Sequence, residues 1–225
     1  MPILGTRIRK LYEGTRGDAY YQDRDYWNRS LLGWASSYLG GTLNVDLRDS
    51  ITSLLAKRLL PGAESILDLG CGGATLALRL GPEFTTYWGV DISDVAISKA
   101  REHLLRGSES GTTSYHFDVA SVQEFQPSGN FDVIVFNEIL YYVSISEVTT
   151  VLRRYCQFLS PGGLIIISLK NHALSRLVQS TAAQELQFVH GVLYQEKYER
   201  PTWNITWNSA APGFLVQAFR AKRSG

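Results

Sequence analysis

The stretch Ser65-Ile66-Leu67-Asp68-Leu69-Gly70-Cys71-Gly72-Gly73-Ala74-Thr75, followed about twenty residues later by Tyr87-Trp88-Gly89-Val90-Asp91, decides the fold. An apolar run reaches a glycine turn that opens onto a helix, and a second apolar run then delivers a carboxylate to the same edge. This is the layout of a nucleoside-cofactor site at the carboxyl end of a parallel sheet. A dinucleotide site asks for Gly-x-Gly-x-x-Gly, whose third glycine lets the helix pack close with its N-terminus facing a pyrophosphate. Here Gly70 and Gly72 fill the first two positions, but Thr75 stands at the third, and Asp68 beside the turn is ill placed against phosphates. The residue types favour a phosphate-free cofactor with a cationic amino end.

Working outward, strands and helices alternate as a parallel sheet requires. A helix from Leu47 to Leu60 is stopped by Pro61-Gly62. Strands are expected near 64–69, 85–91, 113–118, 131–136 and 163–169, and helices near 74–81, 93–106 and 145–159. The last helix shows its face most plainly, with Val148, Val151, Leu152, Tyr155, Cys156 and Leu159 at three- and four-residue steps. Ser144 and Glu147 have capping-box spacing at its start, and Pro161-Gly162-Gly163 stops it. The unbroken apolar run Leu164-Ile165-Ile166-Ile167 reads as a strand covered on both faces. Beyond it a helix is expected from His172 to about Thr181, then strands over Leu186–Tyr198, Trp203–Trp207 and Gly213–Ala221.

Composition narrows the function classes. The 225 residues carry 22 Lys and Arg against 21 Asp and Glu, dispersed rather than striped, which argues against a nucleic-acid surface. The two cysteines, Cys71 and Cys156, are not spaced as metal ligands, so no metal site is expected. No run of about 18 apolar residues and no signal-peptide core occurs, so the expectation is a cytoplasmic protein without a membrane anchor.

The chain resembles the class I S-adenosylmethionine-dependent methyltransferase family. The resemblance is carried, in family order over roughly residues 45–170, by Ile66-Leu67-Asp68-Leu69-Gly70-Cys71-Gly72, Gly89-Val90-Asp91-Ile92-Ser93, Phe117-Asp118-Val119, Phe131-Asp132-Val133-Ile134-Val135-Phe136-Asn137-Glu138 and Leu159-Ser160-Pro161-Gly162-Gly163-Leu164. Ala74 departs from it, standing where the family usually has another glycine. The resemblance implies a Rossmann-like, doubly wound, mostly parallel seven-stranded sheet closed by a C-terminal antiparallel hairpin. It also implies one methyltransferase domain over 1–225, with a helical cover over 1–45 and the core over 46–225. S-adenosylmethionine is the implied cofactor. Gly70, Cys71 and Gly72 would approach its methionyl part, and Asp68 its ammonium. Asp91, with Ile92 beside it, would meet the ribose hydroxyls, Asp118 and Val119 the adenine, and Asn137 the neighbourhood of the sulfonium.

Acceptor residues are harder to read, because methyl transfer from a sulfonium needs alignment and only sometimes a base. Asn137-Glu138-Ile139-Leu140-Tyr141-Tyr142 follows the fourth strand at the ligand edge, and it is similar to small-molecule methyltransferases related to the nodulation N-methyltransferase. Glu138 and Tyr142 are the expected catalytic side chains, Tyr141 a substrate contact, and His172, at the end of the fifth strand, a candidate general base. In the N-terminal cover, Tyr21 and Trp27 are expected to face the acceptor, and Tyr26 and Arg29 the cofactor. The expected activity is methyl transfer to a nitrogen or oxygen of a small molecule. The alternative is a relative that keeps the bound cofactor as a structural or electrostatic element and transfers nothing.

Overall fold

The computed structural model describes residues 23–29, 43–105, 112–170, 173–195 and 213–222. A helical stretch over 24–29 is followed by α1 (Leu43–Leu59), β1 (Ser65–Leu69), β2 (Thr86–Asp91), α2 (Asp94–Leu105), β3 (Ser114–Val119), β4 (Phe131–Asn137), α3 (Ile145–Cys156), β5 (Leu159–Lys170), α4 (Ala173–Glu185), β6 (Leu186–Gln195) and β7 (Gly213–Ala221). The seven strands form one sheet in the order β3-β2-β1-β4-β5-β7-β6. The first five are parallel, and β7 runs antiparallel between β5 and β6, closing the sheet with the expected hairpin. The expected strand Trp203–Trp207 lies outside the described residues.

Alternation along the central strands explains why they read as unbroken apolar runs. Leu67, Leu69, Ile134, Phe136, Ile165 and Ile167 turn to one face, where Val148, Val151, Leu152 and Tyr155 of α3 cover them. Ile66, Val133, Val135 and Ile166 turn to the other, against Leu55 and Ala56 of α1 and Ile97, Ala100 and Leu104 of α2. Burying each of the valines, leucines, isoleucines and Phe136 among them contributes roughly 1.5–3 kcal/mol. The chain winds from β1 outward to β3, then returns to the other side of β1 for β4. That reversal opens a crevice at the carboxyl ends of β1 and β4, the place where open α/β sheets hold ligands.

Three local expectations are corrected. No helix forms over 74–81: turns lead to a single 3-10 turn at Ala77–Arg79, and Leu80 is already extended. Ala74 sits at φ 57, a left-handed conformation that cannot begin an α-helix, and the chain leaves helical geometry before Pro82. Ser144 does begin α3, but its side chain makes no capping bond; its Oγ lies 2.6 Å from the Ser146 Oγ instead. Finally, α3 ends at Cys156, and Pro161-Gly162-Gly163 instead belongs to β5, where residues 160–163 loop out between Leu159, paired with Phe131, and Leu164, paired with Val133. Gly162 takes φ 79 there.

Candidate active site

The glycine turn is held from below by β2. The N–H groups of Gly70 and Cys71 both donate to the Val90 carbonyl, at 2.8 and 3.0 Å. Gly70 adopts φ 73, and a Cβ on it would stand 2.7 Å from Ile139 Cδ1, so the turn and the loop after β4 touch through a contact only glycine permits. Gly72 has φ 53, and a Cβ on it would meet nothing within 4 Å, which leaves the ground above the turn open. The Cys71 side chain is buried, and a Cβ on Gly89 would come within 2.9 Å of its Sγ. Burial and the nearby Asp91 and Asp68 push that thiol well up, which disfavours its thiolate.

Asp91 ends β2 partly exposed and braces the turn. Its Oδ2 accepts the Gly72 N–H at 2.9 Å, and its Oδ1 accepts the Ser93 N–H at 2.9 Å. The carboxylate's two oxygens accept about four bonds, which leaves acceptor capacity for a ligand hydroxyl. Ser93 caps α2, its Oγ accepting the Ala96 N–H at 3.1 Å. Asp68 is fully buried. Its Oδ2 accepts the Tyr87 hydroxyl at 2.7 Å, and its Oδ1 has no hydrogen-bond partner. Burial pushes its carboxyl up to about 7, against the lowering effect of the Tyr87 bond. Asp118 accepts the Trp88 indole N–H at 2.7 Å, and Val119 packs against the core on the α1 and α2 side.

A second group of residues was missed by sequence reading. Arg48 and Asp49 of α1 reach the crevice, with Arg48 Nη2 at 3.0 Å from Asp49 Oδ1 and both side chains nearly or fully enclosed. Asp49 accepts the Thr75 hydroxyl at 2.6 Å and the Asn137 amide at 3.3 Å. Asn137 Oδ1 accepts from Ser168 Oγ at 2.8 Å, and Ser168 Oγ accepts the Glu138 N–H at 3.0 Å. One chain of hydrogen bonds therefore runs from Thr75 beside the glycine turn to Glu138 beyond β4. Asp49, Thr52, Ser53 and Ala56 all lie on the buried side of α1, so three polar residues sit there beside the apolar Leu55 and Ala56; their i, i+3, i+4, i+7 spacing is the signal that was available.

Glu138 occupies the left-handed region at φ 59. Its Oε2 accepts the Tyr141 hydroxyl at 2.7 Å, while its enclosed Oε1 has no hydrogen-bond partner. Burial raises its carboxyl above the usual range, opposed chiefly by Arg48. Next to it, the rings of Tyr141 and Tyr142 lie 4.5 Å apart, Tyr142 and Trp27 4.8 Å, and Trp27 and Tyr26 5.2 Å. The stretch over 24–29 is thus brought onto the site. Arg24 Nε donates to the Ile92 carbonyl at 3.1 Å, Asn28 Nδ2 to Asp94 Oδ1 at 2.6 Å, and Ser93 Oγ to Asn28 Oδ1 at 2.6 Å. Arg29 is exposed in this stretch, while the Arg48 side chain lies nearly enclosed at the crevice. Tyr21 and His172 lie outside the described residues. Among the described residues, no helix is long and apolar enough to cross a membrane.

The methyltransferase domain family matches residues 61–209. Chondramide synthase cmdD of Chondromyces crocatus is 27% identical over 151 residues, which are 66% of this chain and 4% of that protein. The ubiquinone biosynthesis O-methyltransferase of Aromatoleum aromaticum is 30% identical over 131 residues, 57% of this chain and 50% of that protein. The chain therefore spans half or less of the length of these relatives. Among solved structures, the N-methyltransferase NodS of Bradyrhizobium japonicum, in complex with S-adenosyl-L-homocysteine, matches with a TM-score of 0.61 at 20% identity, covering 77% of this chain and 86% of that one. That likeness concerns the fold.

Proposed function

The chain belongs to the class I S-adenosylmethionine-dependent methyltransferases, and from this membership and the site geometry we propose that it moves a methyl group from S-adenosylmethionine to a nitrogen or oxygen of a small molecule. The observation that carries this reading is Asp68, a fully buried carboxylate with one oxygen lacking any donor, set beside a glycine turn with open space above it. Leaving a buried carboxylate oxygen unpartnered is costly, and a cationic ligand group removes that cost.

The residues present fit this cofactor and not a dinucleotide. Asp49, Asp68 and Asp91 all border the turn, so a pyrophosphate would meet like charge, whereas an ammonium meets Asp68. Asp91 would accept the ribose hydroxyls with the acceptor capacity its backbone bonds leave open. Arg48, rather than the exposed Arg29, would meet the methionyl carboxylate, as a guanidinium matches a carboxylate in geometry and charge. Asp118 keeps an oxygen for the adenine edge beyond the one that holds Trp88. When bound, S-adenosylmethionine supplies a methyl group on a positively charged sulfur, ready for in-line displacement. Glu138, Tyr141, Tyr142 and Trp27 would orient the acceptor, with Glu138 Oε1 taking a hydrogen bond from it. The Tyr141 hydroxyl donates to Glu138, and burial raises its pKa far above that of a free phenol, so Tyr141 acts as a fixed donor and not as a base.

Calorimetric titration with S-adenosylhomocysteine and with NAD tests the reading. Saturable one-to-one binding of the first and none of the second is expected. Asp91→Ala should weaken that binding by about 1–3 kcal/mol, the loss expected for hydrogen bonds to a charged group. Binding of NAD in place of S-adenosylhomocysteine would overturn it.

A further inference from the structure

Resting on the methyl-transfer reading above, we propose that the acceptor is an amine, seated with its nitrogen against Glu138 Oε1 and its substituents along the rings of Tyr141, Tyr142 and Trp27.

Three observations lead there. First, Glu138 Oε1 is enclosed and without a hydrogen-bond partner, while Oε2 is already satisfied by Tyr141. The guanidinium nearest in effect, Arg48, makes its bonds to Asp49 from Nε at 3.1 Å and Nη2 at 3.0 Å. Arg48 and Lys170 both act on this carboxyl, yet Oε1 is hydrogen-bonded to neither, so a donor that arrives with a ligand would satisfy it. Second, the fold holds Glu138 in place against its own backbone preference. A non-glycine residue at φ 59 is strained, and the Glu138 N–H is pinned to Ser168 through both its carbonyl, at 3.2 Å, and its Oγ, at 3.0 Å. The loop so fixed touches the cofactor turn through Ile139 and Gly70. Third, the rings that continue from Glu138 offer faces whose negative quadrupole attracts cations.

The charge that develops during transfer separates the acceptor classes. An attacking hydroxyl must pass its proton to Glu138 as it attacks, which ends with a neutral ether beside a neutral carboxyl and gives no ion pair. An attacking amine becomes positive, and Glu138 stabilises that charge as it forms. The balance is simple. The arriving ammonium sheds one proton through Glu138 Oε1 to solvent, and its nitrogen lone pair then forms the new N–C bond. As the S–C bond breaks, its electron pair returns to sulfur, leaving a neutral thioether and a methylated ammonium paired with Glu138.

The test uses benzylamine, benzyl alcohol and phenol as probes, titrated calorimetrically into the protein saturated with S-adenosylhomocysteine. Benzylamine should bind at least tenfold more tightly than either hydroxyl compound, and Glu138→Gln should erase that preference while leaving S-adenosylhomocysteine affinity within twofold. Equal or tighter binding of the hydroxyl compounds, no binding of any probe, or an amine preference that survives Glu138→Gln would overturn the proposal. Should Glu138→Gln fail to bind S-adenosylhomocysteine, the order of the three probes on the unmodified protein decides alone. Failure of the unmodified protein to bind S-adenosylhomocysteine would instead sink the methyl-transfer reading beneath it.

Discussion

Replacing Asp68 by asparagine should move stability and cofactor affinity by different pH-dependent laws. The amide keeps an oxygen for the Tyr87 hydroxyl and nearly the same shape, so the change is one of charge. In the cofactor-free protein burial lifts the Asp68 carboxyl from 3.8 to about 7. Between those values the folded chain holds a proton that the unfolded chain has released, so stability falls as pH rises through this window and the full penalty stands above it. The climb corresponds to on the order of 4 kcal/mol, each pH unit counting about 1.4 kcal/mol. The asparagine variant carries no such slope, but its amide meets the space where Asp68 Oδ1 has no partner, a loss of about 1–3 kcal/mol at any pH. Urea denaturation of the cofactor-free protein should therefore find the parent losing about 3 kcal/mol relative to Asp68→Asn between pH 5 and pH 8, so that the two are close in stability at pH 5 and the variant is the more stable at pH 8. Calorimetry with S-adenosylhomocysteine at pH 8 should show affinity down by about 10- to 150-fold, the equivalent of 1.5–3 kcal/mol for a charge-assisted bond. That gap should narrow at pH 5.5, where the parent carboxyl is itself protonated. Parallel stability curves for the two proteins, together with unchanged affinity, would refute both the buried charge and its role.

Two other carboxylates give predictions of their own. Asp49→Asn removes the charge that pairs with Arg48 and accepts from Thr75 and Asn137, and breaking a buried pair by losing one partner costs about 3–5 kcal/mol; the melting temperature should fall markedly, and an unchanged value would show the pair to be dispensable. Asp132 pins β1 to β4 by accepting the N–H groups of Glu64 and Ser65 at 2.9 and 3.0 Å and the Ser65 hydroxyl at 2.9 Å. Those bonds outweigh burial and hold its carboxyl below the usual range, so its contribution is present above the unfolded value near 3.8 and is lost as pH falls through the lower folded one. Asp132→Ala should cost about 1–3 kcal/mol at pH 7, measured by denaturation, with the difference shrinking in strong acid.

What was legible in the sequence followed from burial. Strands covered on both faces must be apolar at every position, so Ile66–Leu69 and Leu164–Ile167 announced themselves, and the carboxylates ending β1, β2 and β3 stood out against them. What was illegible followed from polarity or conformation. The buried face of α1 carries Asp49, Thr52 and Ser53, and a reading that looks for apolar stripes passes over it. The helix expected over 74–81 had suitable residues, but propensity says nothing of Ala74 being held at φ 57 by the turn before it. Ser144 and Glu147 had the spacing of a capping box, yet Ser144 found Ser146 closer to hand. The role of Thr75 was half read. Its failure to be glycine argued against a dinucleotide, while its hydroxyl, bonded to Asp49, ties the turn to α1.

Several residues in and around the site break local rules. Asp68 interrupts an apolar strand, Asp49 sits charged on a buried helix face, and Ala74 and Glu138 take a backbone conformation their side chains disfavour. Taken one at a time each is a defect costing on the order of 1–3 kcal/mol. They are not independent, however. Hydrogen bonds run without a gap from Thr75 through Asp49, Asn137 and Ser168 to Glu138 and Tyr141, and Asp49 also acts electrostatically on Asp68. Among the described residues, the buried carboxylate oxygens left without a partner are Asp68 Oδ1, beside the cofactor turn, and Glu138 Oε1, beside the aromatic rings. A fold that tolerated buried charge at random would scatter such deficits. Here one stands at the place assigned to each reactant, so the ligands that satisfy them also relieve the cost the fold carries without them, which is the arrangement expected where stability is given up for binding.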